Sequence, residues 1–316
     1  MFDETFLVTN YGDGRMTIHL KKLVARLSLL AIMILVGSSI STTVSASSKP
    51  IIVGSKSFSE SKTVSEIYAL ALEHAGYKVV RKPNISNSVV FRAVKTGQID
   101  VYPEYTGTIV EAYLKKSASG KSASQMASLA QNVVKKDGLV TFNYAPGDNR
   151  QGIGMRTSVA KKYNIKTLSD LQKNASHIRF VSQGEFDKRA DALPGMNKKY
   201  GKYNFKSHKD YDDSLKYKIM SQNKGDAAPV YTTDGQLATS KFTLLKDDKG
   251  LWAPYNLVPL VNKKAAKSHP KMEKALNQVD AKLTTKQLTS LNKKVDVDGQ
   301  NYKTVAKNWY NEYMLN

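Results

Sequence analysis

Between Pro50 and Tyr102 the chain alternates strand-like and helix-like segments without a long break, and this order restricts the fold more than any other feature. Pro50 to Val53 opens an apolar run that stops at Gly54-Ser-Lys-Ser-Phe-Ser. Apolar residues then fall at Val64, Ile67, Tyr68, Ala71, Leu72 and Ala75, the spacing of one helical face. Gly76 suits the position just past a helix end. Tyr77 to Arg81 alternates as a strand, and a second helix starts near Ser88 and closes at Gly97. Ile99 to Tyr102 reads as the third strand. Pro103 has no N–H for a ladder, so the strand is expected to end there. Strand, helix, strand, helix, strand implies an α/β fold with a mostly parallel sheet and right-handed crossovers.

A second α/β set follows. Residues 117–124 read as a surface loop, Met126 to Val134 as a helix ended by Gly138, and Leu139 to Phe142 as a strand. The turn-rich Asn143–Gly152 stretch is expected to lead into a second domain. Beyond it come a strand at Gly152–Met155, a helix from Thr157, a capping box at Ser169-x-x-Gln172 and a strand at Ile178–Ser182. Helices are expected near Pro194–Tyr200 and Ser214–Gln222, and strands at Ala227–Tyr231 and Phe242–Leu245. From Pro270 the chain reads as mostly helical, and no internal repeat is visible.

The amino end reads as a targeting segment. Lys21, Lys22 and Arg26 precede an apolar run of eleven residues, Leu27 to Gly37, too short to span a bilayer comfortably. Val44-Ser45-Ala46 then offers a small-x-small cleavage site, completing a secretory signal pattern. The signal looks more ordinary if translation starts at Met16. There is no Cys, which excludes disulfides, thiolate metal sites and a lipid anchor through Cys. The five His are scattered, without a helical pair suited to a metal. The net charge is +21, which first suggests nucleic acid. Export and the even spread of lysines argue against that partner. A basic surface facing an anionic envelope and lysine as a general solubiliser both fit.

Catalytic signatures are missing. There is no Gly-x-Ser-x-Gly elbow and no phosphate loop, and Gly152-Ile-Gly154 lacks the later glycine of a dinucleotide site. Binding is the better expectation, with neither enzyme activity nor a cofactor. Of seventeen tyrosines, Tyr105, Tyr231 and Tyr255 sit where strands give way to loops. Lys56, Phe186 and Arg189 occupy further strand-end loops, which can converge on one cleft. Tyrosine π faces attract a quaternary ammonium, and an arginine fork matches a carboxylate.

Five motifs in order give the chain a family resemblance: Gly54-Ser-Lys-Ser-Phe-Ser-Glu60, Gly97-Gln-Ile-Asp-Val-Tyr-Pro-Glu-Tyr-Thr-Gly-Thr108, Gly184-Glu-Phe-x-x-Arg189, Tyr231-x-Thr-Asp-Gly235 and Asp247-Asp-Lys-Gly-x-x-x-Pro-Tyr255. Over residues 50–316 it resembles the substrate-binding proteins of ATP-binding-cassette importers for glycine betaine, carnitine and choline. The resemblance implies a two-lobed, type II periplasmic-binding-protein-like fold with ligand held between lobes. The expected division is a leader and signal over 1–46, lobe I over 47–150 plus 256–316, and lobe II over 151–255.

By the same resemblance Tyr105, Tyr231 and Tyr255 are cage tyrosines. Lys56, Thr108 and Arg189 hold a carboxylate or line the pocket, Phe186 forms a wall, and Ser88 joins the candidate set. Where many relatives read Asn-Asp-Thr-Tyr-Ala, this chain reads Asp148-Asn-Arg-Gln-Gly152, so Gln151 replaces a fourth cage tyrosine. Tyr144 or Trp252 is an alternative wall. The implied partners are a small quaternary-ammonium solute and a membrane permease, with a monomeric receptor outside the cytoplasmic membrane. A different cargo such as ergothioneine, or an envelope-bound interaction protein, stays open.

Overall fold

The computed structural model describes residues 49–114, 118 and 120–315; the expected leader and signal lie outside them. The first half opens as the sequence suggests, with β1 (Ile51–Lys56), α1 (Ser59–His74), β2 (Val79–Ile85), α2 (Asn87–Thr96) and β3 (Val101–Tyr105). Then come α3 (Thr106–Leu114), α4 (Ala123–Val134) and β4 (Leu139–Thr141). The second half contains β5 (Gln151–Arg156), α5 (Thr157–Lys162), α6 (Leu168–Lys173), β6 (Arg179–Ser182), α7 (Leu193–Tyr200), β7 (Ser207–Asp210), α8 (Lys216–Ser221), β8 (Ala227–Tyr231) and β9 (Phe242–Leu244). The chain then returns to the first half as β10 (Leu257–Asn262), α9 (Lys263–Ser268), α10 (Met272–Asp280), α11 (Thr285–Asn292) and α12 (Tyr302–Met314).

The sheets have orders β2-β1-β3-β10-β4 and β7-β6-β8-β5-β9. In each, the first three strands run parallel and the last two pairings are antiparallel. Each sheet is therefore mixed but mostly parallel, as expected: four of its five strands share one direction. The one opposed strand is the strand that each half receives across the crossing, β10 in one and β5 in the other.

Pro103 does not end its strand. It lies inside β3, opposite Pro259 of β10. Thr106 N–H donates to Asn256 C=O at 2.9 Å, which makes the Pro103–Pro259 pair a non-hydrogen-bonded one. At such a pair the residue's N–H points away from its partner, so its absence costs that ladder nothing. On the other side β1 pairs with β3 only at Val53–Val101, so no bond to Pro103 is required there either. The capping box also shifts from its expected place: Thr167 caps α6 and Asp170 returns the bond, while Ser169 lies within the helix and donates to Asp248 at 2.5 Å.

Among the described residues three large cores result, one on each face of the first sheet and one in the second half. Val64, Ile67, Tyr68 and Leu72 of α1 pack with Leu276, Leu288 and Trp309 from the carboxyl-terminal helices. In the second half Ile153, Leu168, Phe180 and Met196 pack together. The halves also meet away from the crossings. A Cβ on Gly235 would lie 2.5 Å from the backbone nitrogen of Lys293, so only glycine permits this approach. Lys293 opens a short π-helical turn, Lys293–Val297, directly after α11.

Candidate functional site

A cavity of about 1220 Å³ opens between the two sheets, with Lys56, Tyr105, Gln151 and Tyr231 contributed from both. Its position follows from the strand ends. β3 finishes at Tyr105 and β8 at Tyr231, while Gln151, the first residue of β5, pairs directly with Tyr231. Tyr255 enters from the returning crossing segment. Its ring packs so closely on α3 that a Cβ at Gly107 would overlap it.

The structure brings most of the expected residues together. Lys56, Tyr105, Thr108, Gln151, Arg189, Tyr231 and Tyr255 all line the cavity. Tyr105 is only 5% exposed, whereas Tyr231 is 40% exposed. Phe58 stacks on Tyr105 with ring centroids 6.4 Å apart, and the Lys56 ammonium lies 5.6 Å from the same ring. Gln151 reaches inward while its amide donates to Val230 C=O at 3.1 Å. Trp252 lines the cavity and donates from its indole to Asp191 C=O at 2.7 Å; Tyr144 is not among the lining residues.

Two expected residues lie elsewhere. Ser88 sits exposed at the start of α2, where its hydroxyl pairs with Ser86 at 3.2 Å, and its neighbour Asn87 reaches the cavity instead. Phe186 is buried in the second core, 6.1 Å from the Phe180 ring, and does not reach the cavity surface. Both assignments follow helix and turn geometry that the linear motif does not carry.

The charged residues differ most from expectation. Lys56 is buried and 2.5 Å from Glu104. The Arg189 fork is taken by Asp191, with Nε to Oδ1 at 3.0 Å and the second guanidinium nitrogen to Oδ2 at 2.5 Å. That bidentate bond, set against a partial burial cost, holds its proton more firmly than usual.

Sequence reasoning missed Glu60, Glu111 and Asn149. Glu60 accepts from Tyr105 Oη at 2.5 Å, Asn149 Nδ2 at 2.9 Å and Asn292 Nδ2 at 2.5 Å. Asn292 also donates to Thr233 C=O at 2.8 Å, which ties the first half to the second. Glu111, on α3, lines the same cavity as Tyr255, and burial raises its carboxyl pKa. The motif Gly54–Glu60 contained Glu60, but nothing local signals its burial. His208 comes within 2.7 Å of Asp187 and lies near Asp210; this cluster lines no part of the cavity.

Comparison with known proteins bears on the family. Residues 49–312 match the family described as the substrate binding domain of ABC-type glycine betaine transport systems. The glycine betaine-binding protein YehZ of Escherichia coli is 31% identical over 277 residues, covering 82% of this chain and 89% of that protein. The ergothioneine transport permease/ergothioneine binding protein EgtU of Helicobacter pylori is 30% identical over 263 residues, 83% of this chain; the chain spans only 47% of that relative's length. The solved structure of apo YehZ from E. coli aligns with a TM-score of 0.74 at 30% identity, covering 85% of this chain and all of that one. A glycine betaine/carnitine/choline ABC transporter structure aligns with a TM-score of 0.76 at 26% identity, over 83% and 98% of the two chains. The chain belongs to the family of substrate-binding domains of ABC-type glycine betaine transport systems, and is the solute-binding component of such an importer.

Proposed function

We propose that the inter-sheet cavity captures a compact quaternary-ammonium solute and that the loaded protein presents it to its permease. The observation that carries this reading is the convergence of Tyr105, Tyr231 and Tyr255 on one cavity from separate elements. Thr108, Gln151 and Arg189 complete its wall. Residues 47–150 with 256–316 act as one lobe and 151–255 as the other, closing on the solute by a hinge motion. The receptor works as a monomer outside the cytoplasmic membrane, its signal cleaved near Ala46, and it performs no chemistry on its cargo.

Gln151 supports a second cargo, ergothioneine, which shares the trimethylammonium group and adds a ring able to meet an amide; the H. pylori relative carries that name. Thermal-shift titration with betaine, carnitine, choline and ergothioneine tests both. A ligand at a hundred times its Kd is expected to add about 2.7 kcal/mol of stability. No shift with any of the four overturns the quaternary-ammonium reading. Gln151→Tyr is expected to improve betaine binding by one ring face, roughly 0.5–2 kcal/mol.

A further inference from the structure

The protein is strongly basic, with a net charge of +21, yet its cavity is not. Among the described residues, six carboxylates line it against three basic side chains. Each basic group already faces an acid: Lys56 lies 2.5 Å from Glu104, Arg189 2.5 Å from Asp191, and Lys216 3.4 Å from Asp234. Glu60, Glu111 and Asp296 remain, with no Lys or Arg within 4.0 Å among the described residues. Asp296 is exposed at the rim and screened by water. Glu60 is buried, but its oxygens are turned to Tyr105, Asn149 and Asn292. Glu111 is half-buried and lines the cavity together with the cage ring of Tyr255.

We infer that this cavity selects a solute of net positive charge over a zwitterion, and that Glu111 is the residue that reads the charge. The inference rests on the quaternary-ammonium reading above and narrows it. A half-buried carboxylate in the same wall as the Tyr255 ring stabilises a cation held against that ring face. A zwitterion brings its own carboxylate into a wall with surplus negative charge. Arg189 keeps a second edge for that carboxylate, but its charge is already shared with Asp191, so the usual benefit of an arginine fork is reduced.

Choline and glycine betaine are suitable probes because both carry a trimethylammonium group on a short chain, one ending in a hydroxyl and the other in a carboxylate. Isothermal titration of the wild-type protein at pH 7 is expected to show choline bound at least about tenfold more tightly, the size of one partly buried charge interaction. Glu111→Gln is expected to reduce that ratio by about tenfold, chiefly by weakening choline. Gln151→Glu, which adds a carboxylate at another wall, is expected to widen the ratio and gives a second test if Glu111→Gln does not fold. Betaine bound more tightly than choline by the wild-type protein overturns the inference alone. So does a ratio that neither folded variant changes. Binding of neither solute overturns the quaternary-ammonium reading and the inference with it.

Discussion

The central strand of each sheet, β3 or β8, ends in the same six-residue pattern, Asp-x-x-Pro-x-Tyr, at Asp100–Tyr105 and at Asp226–Tyr231. The bonds around the two copies also match. Asp100 exchanges backbone N–H and side-chain bonds with Ile52 at 2.7 Å each, and Asp226 does the same with Arg179 at 2.8 and 2.9 Å. Pro229 pairs with Ile153 in the same non-hydrogen-bonded register as Pro103 with Pro259. Each tyrosine N–H donates to a carboxylate, Glu104 or Asp234, that also pairs with a lysine lying over the ring. What differs is depth. Tyr105 is sealed beneath Glu60 and Phe58, while Tyr231 stands open to the cavity. The same local device therefore makes a rigid wall in one half and an accessible face in the other. Burial, set by the carboxyl-terminal helices and the crossing segment, decides which.

The largest separation between the corners is expected on removing their carboxylates. Glu60→Ala leaves the buried Tyr105 hydroxyl and the half-buried Asn149 amide without this acceptor, takes one of two acceptors from Asn292, and is expected to cost about 3–5 kcal/mol in urea unfolding. Asp234→Ala removes a partner of the buried Lys216 ammonium and an acceptor of Tyr217 in a more open corner, and is expected to cost less, about 1–3 kcal/mol. Equal losses would show that the two corners do not differ in burial as described.

Next in size is a pH effect with opposite sign in the two copies. Burial opposes ionisation of Asp226, but hydrogen bonds from Arg179 and Arg156 outweigh it and pull its pKa down to about 2. A depressed folded pKa stabilises above the unfolded value, and that stability is lost as pH falls through about 2. Asp226→Asn is thus expected to cost about 2 kcal/mol at pH 7 and to lose its effect near pH 2. Asp100 is raised, because burial exceeds the help from the Ile52 N–H. Its ionisation above the unfolded value works against folding. Asp100→Asn is therefore expected to be neutral or mildly stabilising at pH 7, since an amide oxygen still accepts from Ile52. Unfolding curves at pH 2–7 for both variants test the contrast; a loss of similar size in both at pH 7 breaks it.

The smallest stability effect belongs to the exposed ring. Tyr231→Ala is expected to change folding stability by less than about 0.5 kcal/mol. Its solute affinity is expected to fall by roughly 0.5–2 kcal/mol, one ring face. A stability loss comparable to that of Glu60→Ala would place Tyr231 in the core instead.

Much of this architecture is readable from the chain because its elements are locally periodic. The α1 face and the strand-end tyrosines needed no long-range information. Two strands escaped notice for opposite reasons. β7 is polar and mostly exposed, so it lacks an apolar signal. β10 is buried at every residue, so Leu257-Val-Pro-Leu-Val-Asn262 shows no alternation, and Pro259 argues against a strand unless its register is known. The missing site residues are a matter of distance. Glu60 reads as an ordinary helical acid, yet its partners lie 45, 89 and 232 residues away. The Asp-x-x-Pro-x-Tyr repeat was equally hidden, since six residues become a correspondence only when the strands around them superpose in role.

The late return of β10 has a consequence for synthesis and export. By residue 244 every strand of the second sheet has been made, whereas the first sheet still has a gap between β3 and β4. That gap closes only with Leu257–Asn262, and the helices covering α1 follow later still. A chain emerging amino end first therefore completes its carboxyl-side half before its amino-side half. Until then the edges of β3 and β4 are open to the wrong partner. The strand that carries Tyr105 is begun early in synthesis and is among the last to gain its neighbour, so the more rigid wall of the cleft is also the later one to form.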